Sequence, residues 1–424
     1  MANFVVIGAG LTGGSAAIAL RKYSVDARVT LIGDEEEVPY DRPPLSKGYL
    51  RGEQPIEKLL VRPREFYAQQ TIDTVLGSRA CRIDATQRIV HLDGDRRVPF
   101  DRLLIATGVR NRRPPIPGID LQGVHQLRTI GDATRLRAEM QPGRKAVVVG
   151  MGFIGCEVAA SLRHHQVEVV SIDPGPTPLA RVLGETIGGT LAALHASYGV
   201  HTVFNDSVEA FEGNGRIERV ITKAGLRIPC DFAVVGVGVE PVVNLLHGSG
   251  IRIDNGVVVD QHCATSVDGI YAAGDVANHF HPVFGRHIRV EHWQNAMRHG
   301  DNAARNMLGE RITYDDIPWF WSDQYDANIQ YAGFHTVYED LILRGRLDGG
   351  SFAAFYMNGG MIDAVVGLNN ARDVRRTMPL IRGRQSVDPD QLRDERVDLR
   401  SLAGPVSPAQ PRDQWPRPPA RPSR

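Results

Sequence analysis

The sequence predicts an α/β protein with two dinucleotide-binding domains of one fold, followed by a smaller C-terminal α+β domain. Three observations carry this. A glycine fingerprint occurs twice, in "NFVVIGAGLTGGSAAIALRK" and in "KAVVVGMGFIGCEVAASLRHHQVEVVSID". Each copy is closed further along the chain by an Asp, an apolar strand and a glycine, "DRLLIATG" (101–108) and "DFAVVGVG" (231–238). Beyond Arg311, aromatic runs separated by glycines, "YDDIPWFWSDQYDANIQYAGF" and "GSFAAFYMNGGMIDAVVGL", read as antiparallel strands.

In the first copy an apolar strand runs into Gly8, Gly10 and Gly13 and then into a helix of small apolar residues. Such glycines serve a tight turn, backbone approach to a pyrophosphate at the helix N-terminus, and close helix–strand packing, the Rossmann-like arrangement. Asp34 follows at the end of the next strand, where a carboxylate can bond a ribose hydroxyl. The second copy repeats this with Gly150, Gly152 and Gly155 and, at the end of its own next strand, Asp173. A second dinucleotide site is the direct reading.

Between the two fingerprints lies "PYDRPPLSKGYL" (39–50). Proline fixes φ and biases its predecessor to extended backbone, so Asp41 to Pro44 should form a stiff, non-helical arm. Two readings stand for this stretch alone: a surface turn with a solvated Lys47, or an arm that aims Lys47. After the second copy, "CATSVDGIYAAGDVA" ends a strand at Gly274-Asp275, where backbone can approach a ligand and Asp275 can accept a hydroxyl bond. From Gly404 onward the chain holds seven Pro and four Arg against one Asp, a composition expected to be disordered.

Length and charge set the bounds. At about 150 residues per domain, 424 residues suffice for two or three domains. Lys plus Arg (49) balances Asp plus Glu (49), so no global field favours nucleic acid or a lipid surface. The four cysteines are scattered, without C-x-x-C or metal spacing, which fits a reducing compartment and no metal site. With no apolar run of about 18 residues and no basic leader before Phe4, a soluble cytoplasmic protein is expected.

"YDRPPLSK", "ATG", "AAGDVA", "VEHWQNA" and "PWFWSDQY", in this order, resemble the two-dinucleotide-binding, glutathione reductase-like flavoproteins. Within them the sequence is similar to the NADH-dependent ferredoxin reductases that serve P450 and Rieske oxygenases, over about residues 3–400. The resemblance implies FAD on the first fingerprint and NADH on the second. It also implies a discontinuous FAD domain (1–115 and 245–315), an NAD domain (116–244), a reductase domain (316–403) and the tail (404–424). Disulfide reductases of the superfamily carry a C-x-x-x-x-C pair where this chain reads "PPLSK", without cysteine. The flavin must then pass electrons directly to an outside acceptor, an acidic two-iron two-sulfur ferredoxin. By resemblance Lys47 reaches the flavin near N5, with Glu157 as its counter-ion and as a contact of the nicotinamide amide; these two are the candidate catalytic residues. Thr12, Asp34, Arg42, Lys47, Ala80, Arg128, Asp275 and Trp293 match FAD contacts, with Gly8, Gly10 and Gly13. Gly150, Gly152, Phe153, Ile154, Gly155, Glu157, Asp173 and Gly238 match NAD contacts.

Trp293 is read either as a flavin contact or as core, and Cys156 as a packing residue rather than a redox thiol. His164-His165 reads as a solvated helix end, and Trp319 and Trp321 as packing residues. The arginines at 372, 375, 376, 382 and 384 form either a solvated face or a ferredoxin dock. Alternative functions are an apoptosis-inducing-factor-like NADH-sensing flavoprotein, or another NADH-dependent flavin reductase lacking a redox disulfide.

Overall fold

The structure, a computed structural model, describes residues 2–403; the Pro/Arg-rich tail lies outside the described residues. Two compact units divide the chain. The first comprises Met1–Asp315 and Ser322–Asn328, the second Asp316–Trp321 and Ile329–Arg424.

In the first unit, β1 (Asn3–Ile7) leads through the glycine turn into α1 (Leu11–Tyr23), and β2 (Arg28–Ile32) returns parallel to β1. β3 (Ile72–Val75) and β4 (Arg102–Ile105) extend the sheet on either side, and Ile270–Ala272 closes it beside β4, all parallel. Strands covered on both faces need apolar residues throughout rather than in alternation. Val5, Val6, Leu103, Leu104 and Ile105 meet this, each at most 1% exposed. The second sheet repeats the plan: β5 (Lys145–Val149), α2 (Phe153–His164), β6 (Glu168–Asp173), α3 (Ala180–Ser197), β7 (Val200–Phe204) and β8 (Phe232–Val235). Its strand order is β7-β6-β5-β8, with Val124–His125 at the far edge.

The two glycine turns agree in detail. Gly8 (φ +108°) and Gly150 (φ +92°) occupy a left-handed region, and their amides donate to Ile32 O and Ile172 O, both at 2.8 Å. A Cβ on Gly13 would lie 1.9 Å from Gly8 O, and one on Gly155 would lie 1.9 Å from Gly150 O. Only glycine lets each helix start so close to its own strand. A further helix, α4 (Trp293–Met307), packs across α1, with Gly300 against the Thr12 carbonyl.

The second unit holds a sheet in the order Trp319–Gln324, Ala327–Gly333, Met361–Leu368, Ser351–Asn358, Asp340–Arg346, whose last four strands run antiparallel in succession. The 322–328 end of its first hairpin belongs to the first unit. Phe352, Phe355 and Tyr356 are fully buried in this sheet, and α5 (Ala371–Gly383) packs on Met361–Leu368. The Trp319 and Trp321 rings stack at 5.5 Å. The arginine set on and after α5 is largely neutralised at home: Arg376 faces Asp398 at 3.3 Å, Arg382 faces Asp316 at 3.9 Å and Arg384 faces Asp363 at 2.5 Å. Arg372 and Arg375 alone of the five are exposed.

Candidate active site

The proline arm is the part of the site least like its sequence expectation. Tyr40 bridges Leu60, and the Asp41 amide donates to Leu59 O at 2.8 Å, so the arm starts pinned to the 59–61 segment. It does not stay extended to Pro44. A 3₁₀ turn begins at Pro43 (Pro43–Ser46), because a proline at the first helical position has no donor to lose and the right φ. The amides of Leu45 and Lys47 then bond Arg42 O and Pro44 O, at 2.9 and 3.0 Å, and the turn delivers Ser46 and Lys47 against α2.

Helix α2 receives them on one face. Ser161 Oγ donates to Ser46 O at 2.7 Å, and Glu157, one turn earlier, pairs with Lys47 Nζ at 2.7 Å. Side chains four apart lie above one another on a helix, so a single face both docks the arm and neutralises its cation. Glu157 is buried, at 4% exposed, and Lys47 is largely covered, at 13%. The other carboxylate oxygen of Glu157 accepts from Ser322 Oγ at 2.7 Å, while Ser46 Oγ donates to the oxygen that faces Lys47. A buried carboxylate needs such partners. Expected as a pair, Lys47 and Glu157 stand as one; Ser46, Ser161 and Ser322 were not anticipated.

A second polar group forms around the 274–275 turn. Arg128 faces Asp275 at 3.5 Å, and Arg42 bonds the Arg128 carbonyl and pairs with Glu35 at 2.7 Å. Burial pushes the Asp275 carboxyl up, while the Arg128 and Arg42 cations oppose it. Burial and the nearby Arg42 charge push Arg128 down. Thr12 is buried beneath this turn, close to Gly274. Trp293, first residue of α4, donates through Nε1 to Asp41 Oδ1 at 2.6 Å, so it anchors the arm; burial raises Asp41 and this bond opposes it. Ala80 starts a strand just after Ser78, whose amide donates to Gly33 O at 2.9 Å, beside the end of β2.

The two acidic positions differ. Asp173 ends β6, and its carboxylate accepts the amides of Met151 at 2.6 Å and Gly175 at 2.7 Å, so it is fixed against the second glycine turn. The matching place at the end of β2 holds Gly33, where a Cβ would lie 2.6 Å from Ala9 Cβ. Asp34 therefore sits one residue further on and is exposed, followed by Glu35, which sequence reasoning passed over. Around the second turn Phe153 is half-buried, Ile154 is 46% exposed and Gly238 has φ +96°. A cleft of about 740 Å³ opens beside Gly150 and Pro174, lined in part by Arg110, Arg112 and Arg113. Arg110 and Arg113 are paired with Glu240 and Asp120. Three arginines that are distant in sequence from the second fingerprint thus line the cleft beside this turn.

The cysteines carry no relay. Cys156 is buried, donates to Met151 O at 3.5 Å, and has its thiol pushed well up by burial. His165 is not simply solvated, since its ring contacts Arg51 O at 3.1 Å. Among the described residues no group of His, Cys, Asp and Glu could hold a metal ion.

Both Gly10 and Gly152 cap their helices with no side-chain bond, and a Cβ on either would meet nothing within 4 Å. Each helix therefore starts at an N-terminus with open space beside its capping glycine, which suits a phosphate. Two such turns on two parallel sheets define a double dinucleotide-binding oxidoreductase fold. The chain belongs to the pyridine nucleotide-disulphide oxidoreductase family, which matches residues 2–300; residues 319–403 match the reductase C-terminal family. It is 40% identical over 404 residues to the anthranilate 1,2-dioxygenase system ferredoxin–NAD(+) reductase component of Burkholderia cepacia, covering 94% of this chain and 98% of that one. Rhodocoxin reductase of Rhodococcus erythropolis is 36% identical over 399 residues, covering 94% and 93%. Among solved structures, that of a covalent putidaredoxin reductase–putidaredoxin complex superposes with a TM-score of 0.92 at 32% identity, over 95% of this chain and 99% of that one.

Removing one member of a buried pair strands the other charge, at a cost of about 3–5 kcal/mol. Lys47→Met should lower stability in urea unfolding by about that much, and adding Glu157→Gln should restore most of it. Equal stability of Lys47→Met and wild type would show that the pair is not desolvated.

Proposed function

We propose that the protein is an FAD-dependent ferredoxin reductase that takes electrons from NADH and delivers them to a two-iron two-sulfur ferredoxin serving a P450 or Rieske oxygenase. The observation that carries this is the Lys47–Glu157 pair, which joins the "PPLSK" arm to the helix of the second glycine turn, with no cysteine in the stretch where a disulfide reductase would hold its thiol pair. The relatives named as ferredoxin–NAD(+) reductases support it. FAD, when bound at the first turn, supplies hydride acceptance and one-electron release.

In this reading the N-terminus of α1 at Gly10 holds the pyrophosphate, with Gly8 and Gly13 keeping the turn tight. Asp275 bonds the ribityl hydroxyls, held by Arg128, while Asp34, Arg42, Ala80, Thr12 and Trp293 frame the rest. Lys47 presents an ammonium to the ring system, where preorganised positive charge favours the reduced, anionic form. Glu157 keeps that ammonium compatible with burial and meets the nicotinamide amide. The second turn, with Gly150, Gly152, Phe153, Ile154, Gly155 and Gly238, holds NADH. We assign 1–115 and 245–315 to FAD, 116–244 to NAD and 316–403 to the reductase domain. A cytoplasmic location fits the four free cysteines; no helix among the described residues is long and apolar enough to cross a membrane. A thiol-dependent reductase is disfavoured by the burial of Cys156.

The direct test is anaerobic: the purified, yellow protein should be bleached by NADH and should then reduce an acidic two-iron two-sulfur ferredoxin. Failure of NADH to bleach it would remove the reading. Coenzyme choice follows from Asp173, whose carboxylate, held by two amides, accepts bonds from a free ribose hydroxyl but repels a 2′-phosphate. NADH should exceed NADPH in kcat/KM, and Asp173→Ala should narrow the ratio by roughly tenfold, the scale of one charge-assisted bond. An unchanged ratio would place the ribose elsewhere.

A further inference from the structure

Glu157 is the end of a longer chain that the proposed function does not use. From its Oε1 the path runs to Ser322 Oγ (2.7 Å), from Ser322 Oγ to Gln324 Nε2 (3.2 Å), from Gln324 Oε1 to His195 Nε2 (3.1 Å) and from His195 Nδ1 to Tyr325 Oη (2.9 Å). Ser322, Gln324 and His195 are fully buried. All members lie in the first unit.

The directions are determined. Gln324 donates through its amide nitrogen to Ser322, so its oxygen faces His195 and must accept from Nε2–H. His195 sits in the last turn of α3, yet burial depresses it to about 4, so the ring is neutral near pH 7 and Nδ1 is an acceptor. Tyr325 must then donate to Nδ1. Each donor in the series thus points toward the carboxylate: Tyr325, His195, Gln324, Ser322, Glu157. Aligned bonds of this kind polarise one another and stabilise the anion at their end. The far end is also braced. Tyr325 stacks on Tyr198 at 3.8 Å with a 6° interplanar angle, and Tyr198 Oη donates to Asp326 at 3.0 Å. The charged and titratable neighbours are Lys47 at Glu157, and Cys156, Arg163 and Tyr198 around Tyr325.

We propose that His195 is a positioning residue that acts through Gln324 and Ser322 to hold the Glu157 carboxylate against Lys47. This rests on the proposed function only for what that carboxylate is used for. An amide in the series cannot hand on a proton as a hydroxyl can, so the chain orients rather than conducts.

The test has two arms. With ¹⁵N-histidine labelling, the resonance lost in His195→Gln should belong to an Nε2–H tautomer in the purified protein; an Nδ1–H tautomer overturns the chain, whatever the enzyme does. In stopped-flow reduction of the flavin-loaded protein by NADH, His195→Leu should be slower by about fivefold and Tyr325→Phe, which opens no cavity, by less. His195→Gln, with a donor and an acceptor, should recover most of the rate. Ser322→Ala with His195→Leu should be no slower than Ser322→Ala alone, because both act on one bond. Unchanged rates in His195→Leu and Tyr325→Phe, or multiplying losses in the double variant, overturn the assignment. A wild-type protein that NADH does not reduce would instead count against the proposed function, leaving the tautomer arm to judge the chain.

Discussion

A lysine and a glutamate, Lys47 from the first copy and Glu157 from the second, meet largely out of water at 2.7 Å, and the site is arranged around that contact. Burying either charge alone would cost several kcal/mol, so each requires the other. The requirement reaches outward. Lys47 must come from a segment rigid enough to be aimed, hence the 3₁₀ turn begun at Pro43 and the anchors Leu59–Leu60 and Trp293. Glu157 must sit on the helix behind a glycine turn, hence one turn from the Ser161 that docks the same arm.

Duplication explains why this is possible. The same steric condition, helix start against strand carbonyl, is met at Gly13 and at Gly155. Two parallel sheets therefore each present a helix N-terminus to open space. What differs between the copies is what was free to differ. The second keeps its carboxylate at the strand end, on Asp173, while the first has Gly33 there because Ala9 leaves no room for a side chain.

Features set by local rules were legible in the sequence. The glycine turns, the strands closing each copy, the aromatic strands after Arg311 and the Lys47–Glu157 partnership could be read from spacing, pattern or family resemblance. Features set by long-range meeting were not. Nothing local in "WSDQY" says that Ser322 bonds Glu157 or that Gln324 bonds His195, though the motif itself stood out. The arginine run of α5 looked like a charged face because its acids, Asp316, Asp363 and Asp398, come from other segments. The proline arm misled for a different reason: proline's fixed φ serves an extended chain and a helix start equally, and only the following amides decide.

The coupling between Lys47 and Glu157 is most directly measured as a kinetic double-mutant cycle. Anaerobic flavin reduction by NADH would be followed in wild type, Lys47→Met, Glu157→Gln and the double variant, all loaded with FAD. If the two act as one unit, each single variant is slowed at least tenfold and the double variant is no slower than the worse single. Losses that multiply in the double variant, or a Lys47→Met protein as fast as wild type, would contradict it.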